Sequence, residues 1–185
     1  MAASRRSSLP LPTACLLAVA LAVVGDASAP ARAQAGGADL LKAMSGTWKG
    51  RGTVRESPRA AAEPVSCRYE GKLADSGLSL RITYVCLGVE FKFDATGALT
   101  FEPGSGRFTV TLTTPAANRR AEGSGRANGA GIELDLRGRH PETGAEVTSR
   151  LTMSMAGATR LVNVLRSTDP ETGKSFQVFS ATFGR

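Results

Sequence analysis

The chain reads as an all-β protein. We expect an antiparallel up-and-down barrel of about 8–10 strands, one short helix at its N-terminal side, and one cross-strand disulfide. Three observations predict this. Apolar and polar residues alternate with period two through most of the sequence after residue 45. Turn dipeptides such as Ser76-Gly77, Thr96-Gly97 and Asn128-Gly129 punctuate those runs at short, regular intervals. Two cysteines, Cys67 and Cys86, stand near the two ends of one hairpin. A meander of hairpins favours closure into a barrel over an open sandwich, because closure leaves no sheet edge.

The first 33 residues read as a secretory signal. Arg5 and Arg6 form a basic start, Thr13 to Val24 is an apolar run too short to span a bilayer, and Ala31-Arg32-Ala33 fits a small-x-small cleavage pattern. Ala27-Ser28-Ala29 fits it as well, but Pro30 disfavours cutting there, so the expected cut falls between Ala33 and Gln34. The expectation is an exported chain, periplasmic or secreted, with residues 34–185 as a single domain and no transmembrane segment after cleavage. One Trp, two Tyr and seven Phe all lie in that part and supply a core. The two cysteines left after cleavage suit an oxidising compartment.

In chain order, Gln34 to Gly37 reads as flexible. Asp39 then caps a short helix through Met44, with Gly46 stopping it. Gly46 to Val54 alternates as a strand whose glycines permit bending or close packing, and Ser57 to Pro64 is a loop. Ser66–Leu73 and Leu78–Leu87 form the hairpin. A two-residue loop at Ser76-Gly77 sets Cys67 opposite Cys86, Tyr69 opposite Tyr84, Gly71 opposite Ile82 and Leu73 opposite Leu80, all on one face. A four-residue loop from Ala74 to Gly77 keeps the faces but puts the cysteines two positions out of step. Opposed strand residues lie within disulfide reach, so the cysteines favour the first register.

Beyond Gly88, Val89, Phe91 and Phe93 are expected to point inward, with a turn at Thr96-Gly97 leading to Leu99 and Phe101. Phe108, Val110 and Leu112 face in against Thr109, Thr111 and Thr113. Pro115 to Glu122 reads as a charged loop before a weak strand, Gly123 to Ala127. Ile132, Leu134 and Leu136 make the next inner face, and Val147, Leu151, Met153 and Met155 the one after. Leu161 to Leu165 is apolar on both faces apart from Asn163. Phe176 to Phe183 slips phase between Val178 and Phe179, as at a β-bulge. His140-Pro141-Glu142-Thr143-Gly144 and Asp169-Pro170-Glu171-Thr172-Gly173 read as two similar turns.

A short helix, then Gly46-Thr47-Trp48 on the first strand, then a strand meander resembles the calycin group of lipocalins, fatty-acid-binding proteins and avidins. Gly46-Thr47-Trp48-Lys49-Gly50-Arg51-Gly52 is similar in particular to the opening of nitrobindin-like haem-binding barrels. The resemblance implies a barrel in which Trp48 closes one end against the N-terminal segment. It also implies haem held by a histidine late in the chain. The single histidine here, His140, sits beside Pro141 in a turn, where side chains point to water, and a core tyrosine is commoner than a tyrosinate ligand. We therefore expect no cofactor.

Catalytic sets are missing from the sequence. One histidine and two bridged cysteines leave no Ser-His-Asp or Cys-His system. No residue cluster has zinc or calcium-loop spacing, and the Gly123 to Gly131 glycines lack the lysine of a phosphate loop. The expected protein is not an enzyme and holds no metal. The candidate ligand-binding residues are the inward aromatics Trp48, Tyr69, Tyr84, Phe91, Phe93, Phe101 and Phe108, an apolar interior with two hydroxyls as its polar handles. The net charge of +7 is spread over scattered arginines without flanking aromatics, which argues against nucleic acid. Two functional classes follow: a barrel holding a small apolar or amphipathic ligand, and a barrel that binds an envelope protein, such as a protease or lysozyme inhibitor. A structural role in the envelope is the remainder.

Overall fold

A computed structural model describes residues 29–89, 92–115, 119–139, 144–169 and 172–185, the side chains from residue 36 onward. A helix, α1 (Ala29–Met44), precedes ten strands: β1 (Gly46–Val54), β2 (Glu63–Leu73), β3 (Ser79–Leu87), β4 (Lys92–Glu102), β5 (Arg107–Thr114), β6 (Arg119–Asn128), β7 (Gly131–Arg139), β8 (Glu146–Met155), β9 (Arg160–Thr168) and β10 (Ser175–Gly184). Every strand pairs antiparallel with its sequence neighbour, and β1 pairs β10, so the sheet closes into an up-and-down barrel. The fold class is the one the alternation predicts.

The hairpin register is also as expected: Cys67↔Cys86, Tyr69↔Tyr84, Gly71↔Ile82 and Leu73↔Leu80. Cys67 and Cys86 are joined by a disulfide. The turn itself differs. Ala74 N–H donates to Ser79 C=O and Gly77 N–H to Ala74 C=O, closing a loop longer than two residues around Gly77 at φ 69°. The loop grows symmetrically about Ser76-Gly77, so the partners keep their places. The register shift between Gln177 and Phe179 confirms the bulge in the last strand, and it turns both Phe176 and Phe179 toward partners on the inner face of β9.

Four elements depart from the sequence reading. The helix begins at Ala29 and runs through Gly36 and Gly37, which were expected to be flexible. Gly37 is buried there because the helix lies on Phe101, whose ring occupies the place a Cβ would take. β4 does not turn at Thr96-Gly97. Ala95, Gly97, Leu99 and Phe101 stay in phase on one strand, and Gly97 lets β5 approach where a side chain would meet the Thr111 carbonyl. The charged segment before Gly123 belongs to β6 from Arg119, its charges forming an outer face on which Arg120 bonds Glu122 at 2.9 Å. Val89 is not inward: it is 90% exposed after the end of β3. The two similar turns reach positive φ at Gly144 (68°) and Gly173 (67°), as turn glycines do, while 140–143 and 170–171 lie outside the described residues.

The core is graded along the barrel axis. At the end that α1 covers, Leu41, Met44, Trp48, Leu80, Leu99, Phe108, Ile132, Met153, Leu161 and Phe183 are completely buried. At the far end the inward side chains Phe93, Leu112, Val147, Leu165 and Phe179 are only half-buried. Val54, Val65 and Cys86 are buried at that far end too, so the two ends differ in how deeply their larger side chains are buried. Among the described residues no helix is long and apolar enough to cross a membrane.

Candidate functional site

Gly46, at φ 108°, turns the chain sharply from α1 into β1, and this places Trp48 directly under the helix. Its indole Nε1–H donates to Met44 C=O at 3.2 Å. Arg185 then locks the junction. Its Nη2 donates to the carbonyls of Ala43 (2.9 Å) and Ser45 (2.6 Å), satisfying acceptors at the helix C-terminus. The guanidinium carbon stands 4.1 Å from the Trp48 ring centroid, in cation–π contact. Nothing local in the sequence ties Arg185 to the first strand, so this role is not legible before the barrel closes.

Above this plug, Trp48 pairs with Tyr69 and Tyr69 with Tyr84 across β1, β2 and β3. The tyrosine rings lie 5.0 Å apart, and Phe183 packs on both at 6.0 and 6.3 Å. Asn163 of β9, completely buried, donates from Nδ2 to the Tyr84 hydroxyl at 2.7 Å. β3 and β9 are not neighbours in the wall, so this bond crosses the lumen. Burial pushes the pKa of both tyrosines up, and each hydroxyl stays neutral well past its ordinary range. Two buried atoms in this layer find no partner among the described residues, the Tyr69 hydroxyl and the Asn163 carbonyl oxygen. The Tyr69 hydroxyl reaches toward Gly71, where an added Cβ would lie 2.8 Å from it. The polar exception inside the apolar run Leu161 to Leu165 was the signal for Asn163.

The helix does not cover its end of the barrel completely. Between α1 and the β4–β5 and β6–β7 turns lies a cleft of about 630 Å³. Leu40 and Ala43 line it from the helix; Phe101, Ala127 and Met155, at inward register positions, line it from the barrel. β6 leaves this room because its inward positions are Ala121, Gly123, Gly125 and Ala127, which add almost no side-chain volume. Asp39 and Arg126 are the charged residues of the lining.

Of the seven candidate aromatics, Trp48 and Phe108 are completely buried at the helix-covered end, and Phe101, stacked on Phe108 at 4.9 Å, reaches the cleft. Tyr69 and Tyr84 form the middle layer. Phe93 is half-buried toward the far end. Phe91 and His140 lie outside the described residues. Cross-strand pairs bring Trp48, Tyr69 and Tyr84 together and Phe101 meets Phe108, while Phe93 stands opposite Cys86.

No family model matches the sequence, and no curated protein sequence matches it. Solved structures do. The chain is similar to Rv2717c from M. tuberculosis, with a TM-score of 0.63 and 20% identity over 80% of this chain and 95% of that one. It is also similar to the S-type phycobiliprotein lyase CPES from Guillardia theta, with a TM-score of 0.53 and 9% identity over 80% of this chain and 90% of the other. At these identities the likeness is one of fold. It agrees with the calycin-like, lipocalin-like barrel that Gly46-Thr47-Trp48 and the strand meander point to.

Proposed function

We propose that this chain is an exported binding barrel, not an enzyme, that takes a small apolar or amphipathic ligand into the cleft under α1. The observation that carries the reading is the lining of that cleft. It combines inward barrel positions with one face of a helix that a few buried side chains and the Arg185 clamp hold in place. Its volume of about 630 Å³ falls within the range of small-molecule sites, roughly 300–1,000 Å³. Its described lining is mostly apolar, and among the described residues it carries neither histidine nor cysteine, so it offers shape and burial in place of a nucleophile with its base. The disulfide and the basic-then-apolar N-terminal segment support export to an oxidising compartment. A fold shared with a phycobiliprotein lyase is compatible with a barrel that handles another molecule. The nitrobindin-like likeness of Gly46 to Gly52 adds no ligand identity, since His140 lies outside the described residues.

Native mass spectrometry of the protein recovered from the periplasm without detergent tests this. We expect an N-terminus at Gln34, an oxidised cysteine pair, and a bound mass lost on denaturation. Ala127→Trp, which fills the cleft from an exposed position, should remove that mass while the barrel stays folded. A bound mass that survives in Ala127→Trp would place the ligand elsewhere. A mature chain that still carries residues 1–33 would refute export with cleavage.

A second reading, a protein-binding barrel, rests on a different observation. Val85, Leu87 and Val89 are 36%, 54% and 90% exposed and run along the outside of β3 past its end. On that reading Leu87→Lys abolishes capture of an envelope partner, while Ala127→Trp leaves capture unchanged.

A further inference from the structure

The cleft under α1 has two walls of opposite charge. Asp39 stands on the helix wall and Arg126 on the barrel wall, and they are the charged residues lining it. Among the described residues the two form no ion pair with each other, and Arg126 donates from Nη1 to the Ser105 carbonyl at 3.3 Å. That bond holds the guanidinium at the β4–β5 turn, and Glu133 stands across from Arg126 on the outer face of β7. The nearby Glu102 carboxylate accepts from Ser105 Oγ at 3.1 Å and is not part of the lining. Between the two charges the lining is apolar: Leu40, Ala43, Phe101, Ala127 and Met155.

From this arrangement we infer that the ligand of the cleft is a zwitterionic amphiphile, a single apolar chain or ring body whose head carries one positive and one negative group. The inference rests on the binding function proposed above and names its ligand class. The cationic group faces Asp39, the anionic group faces Arg126, and the apolar body lies on Phe101, Ala127 and Met155. A singly charged head meets one of the two charges and forgoes the contact with the other. Both residues are exposed at the rim. Solvent screens each contact, so each is worth roughly a two- to fivefold change in affinity.

The test compares four probes with the same dodecyl chain, each below its micelle threshold: dodecylphosphocholine, dodecyltrimethylammonium, dodecyl sulfate and dodecanol. Binding is measured by calorimetry on the periplasmic protein. The zwitterion should bind most tightly, by roughly two- to fivefold over either singly charged probe, and the advantage should shrink as salt rises. Asp39→Asn should bring the zwitterion to the level of the sulfate, and Arg126→Gln to the level of the trimethylammonium. Both residues are exposed, and thermal unfolding of each variant checks that the barrel is intact. Equal binding of all four probes, unchanged by either variant, would overturn the inference and leave an apolar binding barrel standing. Failure of every dodecyl probe would overturn the binding function with it. A dimer in sedimentation that Ala127→Trp dissociates would assign the cleft to a second copy of the chain and refute the ligand class.

Discussion

Replacing Tyr84 with Phe tests the bond that spans the lumen. In the native barrel Asn163 Nδ2 donates to the Tyr84 hydroxyl, while the Asn163 carbonyl oxygen is buried without a partner among the described residues. Tyr84→Phe removes one oxygen and leaves the whole amide unpaired inside the barrel. An orphaned buried polar group costs roughly 1–3 kcal/mol, so Tyr84→Phe should lower unfolding free energy by about that amount. Asn163→Leu keeps a side chain of similar branching and removes the unpaired carbonyl, but it strands the Tyr84 hydroxyl. The double variant Tyr84→Phe/Asn163→Leu strands neither side chain. It should be more stable than Tyr84→Phe alone, because replacing both partners with apolar groups of similar shape is often nearly neutral. The assay is urea unfolding followed by fluorescence of Trp48, the single tryptophan. Losses in the double variant equal to the sum of the two single losses would show no coupling and refute a bond across the lumen.

Four further outcomes are expected. The two tyrosines are the only ones in the chain, and the fold raises the pKa of both above the unfolded range near 10. The unfolded chain therefore loses those protons first. Stability should be fully present below about pH 10 and fall above it, by about 1.4 kcal/mol per pH unit for each hydroxyl. Absorbance at 295 nm should rise only as the barrel unfolds, and a smooth titration near pH 10 with the fold intact would contradict this. Reducing Cys67–Cys86, separated by 19 residues, should lower stability by about 3 kcal/mol in denaturant titrations. Gly71→Ala should destabilise by roughly 1–3 kcal/mol, since its Cβ would press on the Tyr69 hydroxyl and lie 3.0 Å from the Met44 carbonyl. Arg185→Ala, which uncaps Ala43 and Ser45 and uncovers Trp48, should cost about 1–3 kcal/mol and shift Trp48 emission. An unchanged spectrum and midpoint would refute the clamp.

The readings that held share one property: they depend on neighbours in sequence or on a single hairpin. Inner and outer faces follow from the two-residue period. The register of β2 on β3 follows from the turn and the cysteines together, and the bulge at Val178 follows from a break in phase. The misread elements were those in which tertiary packing overrode a local signal. Thr96-Gly97 has the composition of a turn, yet Gly97 serves close approach of β5 to β4. Gly36-Gly37 reads as flexible, yet the buried Gly37 lets α1 settle onto the Phe101 ring.

An all-β chain, the strand faces, the disulfide hairpin and a tryptophan at the helix–strand junction are all legible in the residues alone, because hydrophobic period and turn chemistry are local quantities. Which inward residues meet depends on how the barrel closes. Tyr84 and Asn163 touch across 79 positions of sequence, and Arg185 caps a helix 140 or more positions away. Strand tilt and barrel closure set the height of each residue on the wall, and both depend on all ten strands at once. The cleft belongs to the same class. It exists because a small-residue strand, β6, comes to lie beside a helix from the other end of the chain order, and no stretch of sequence contains that juxtaposition.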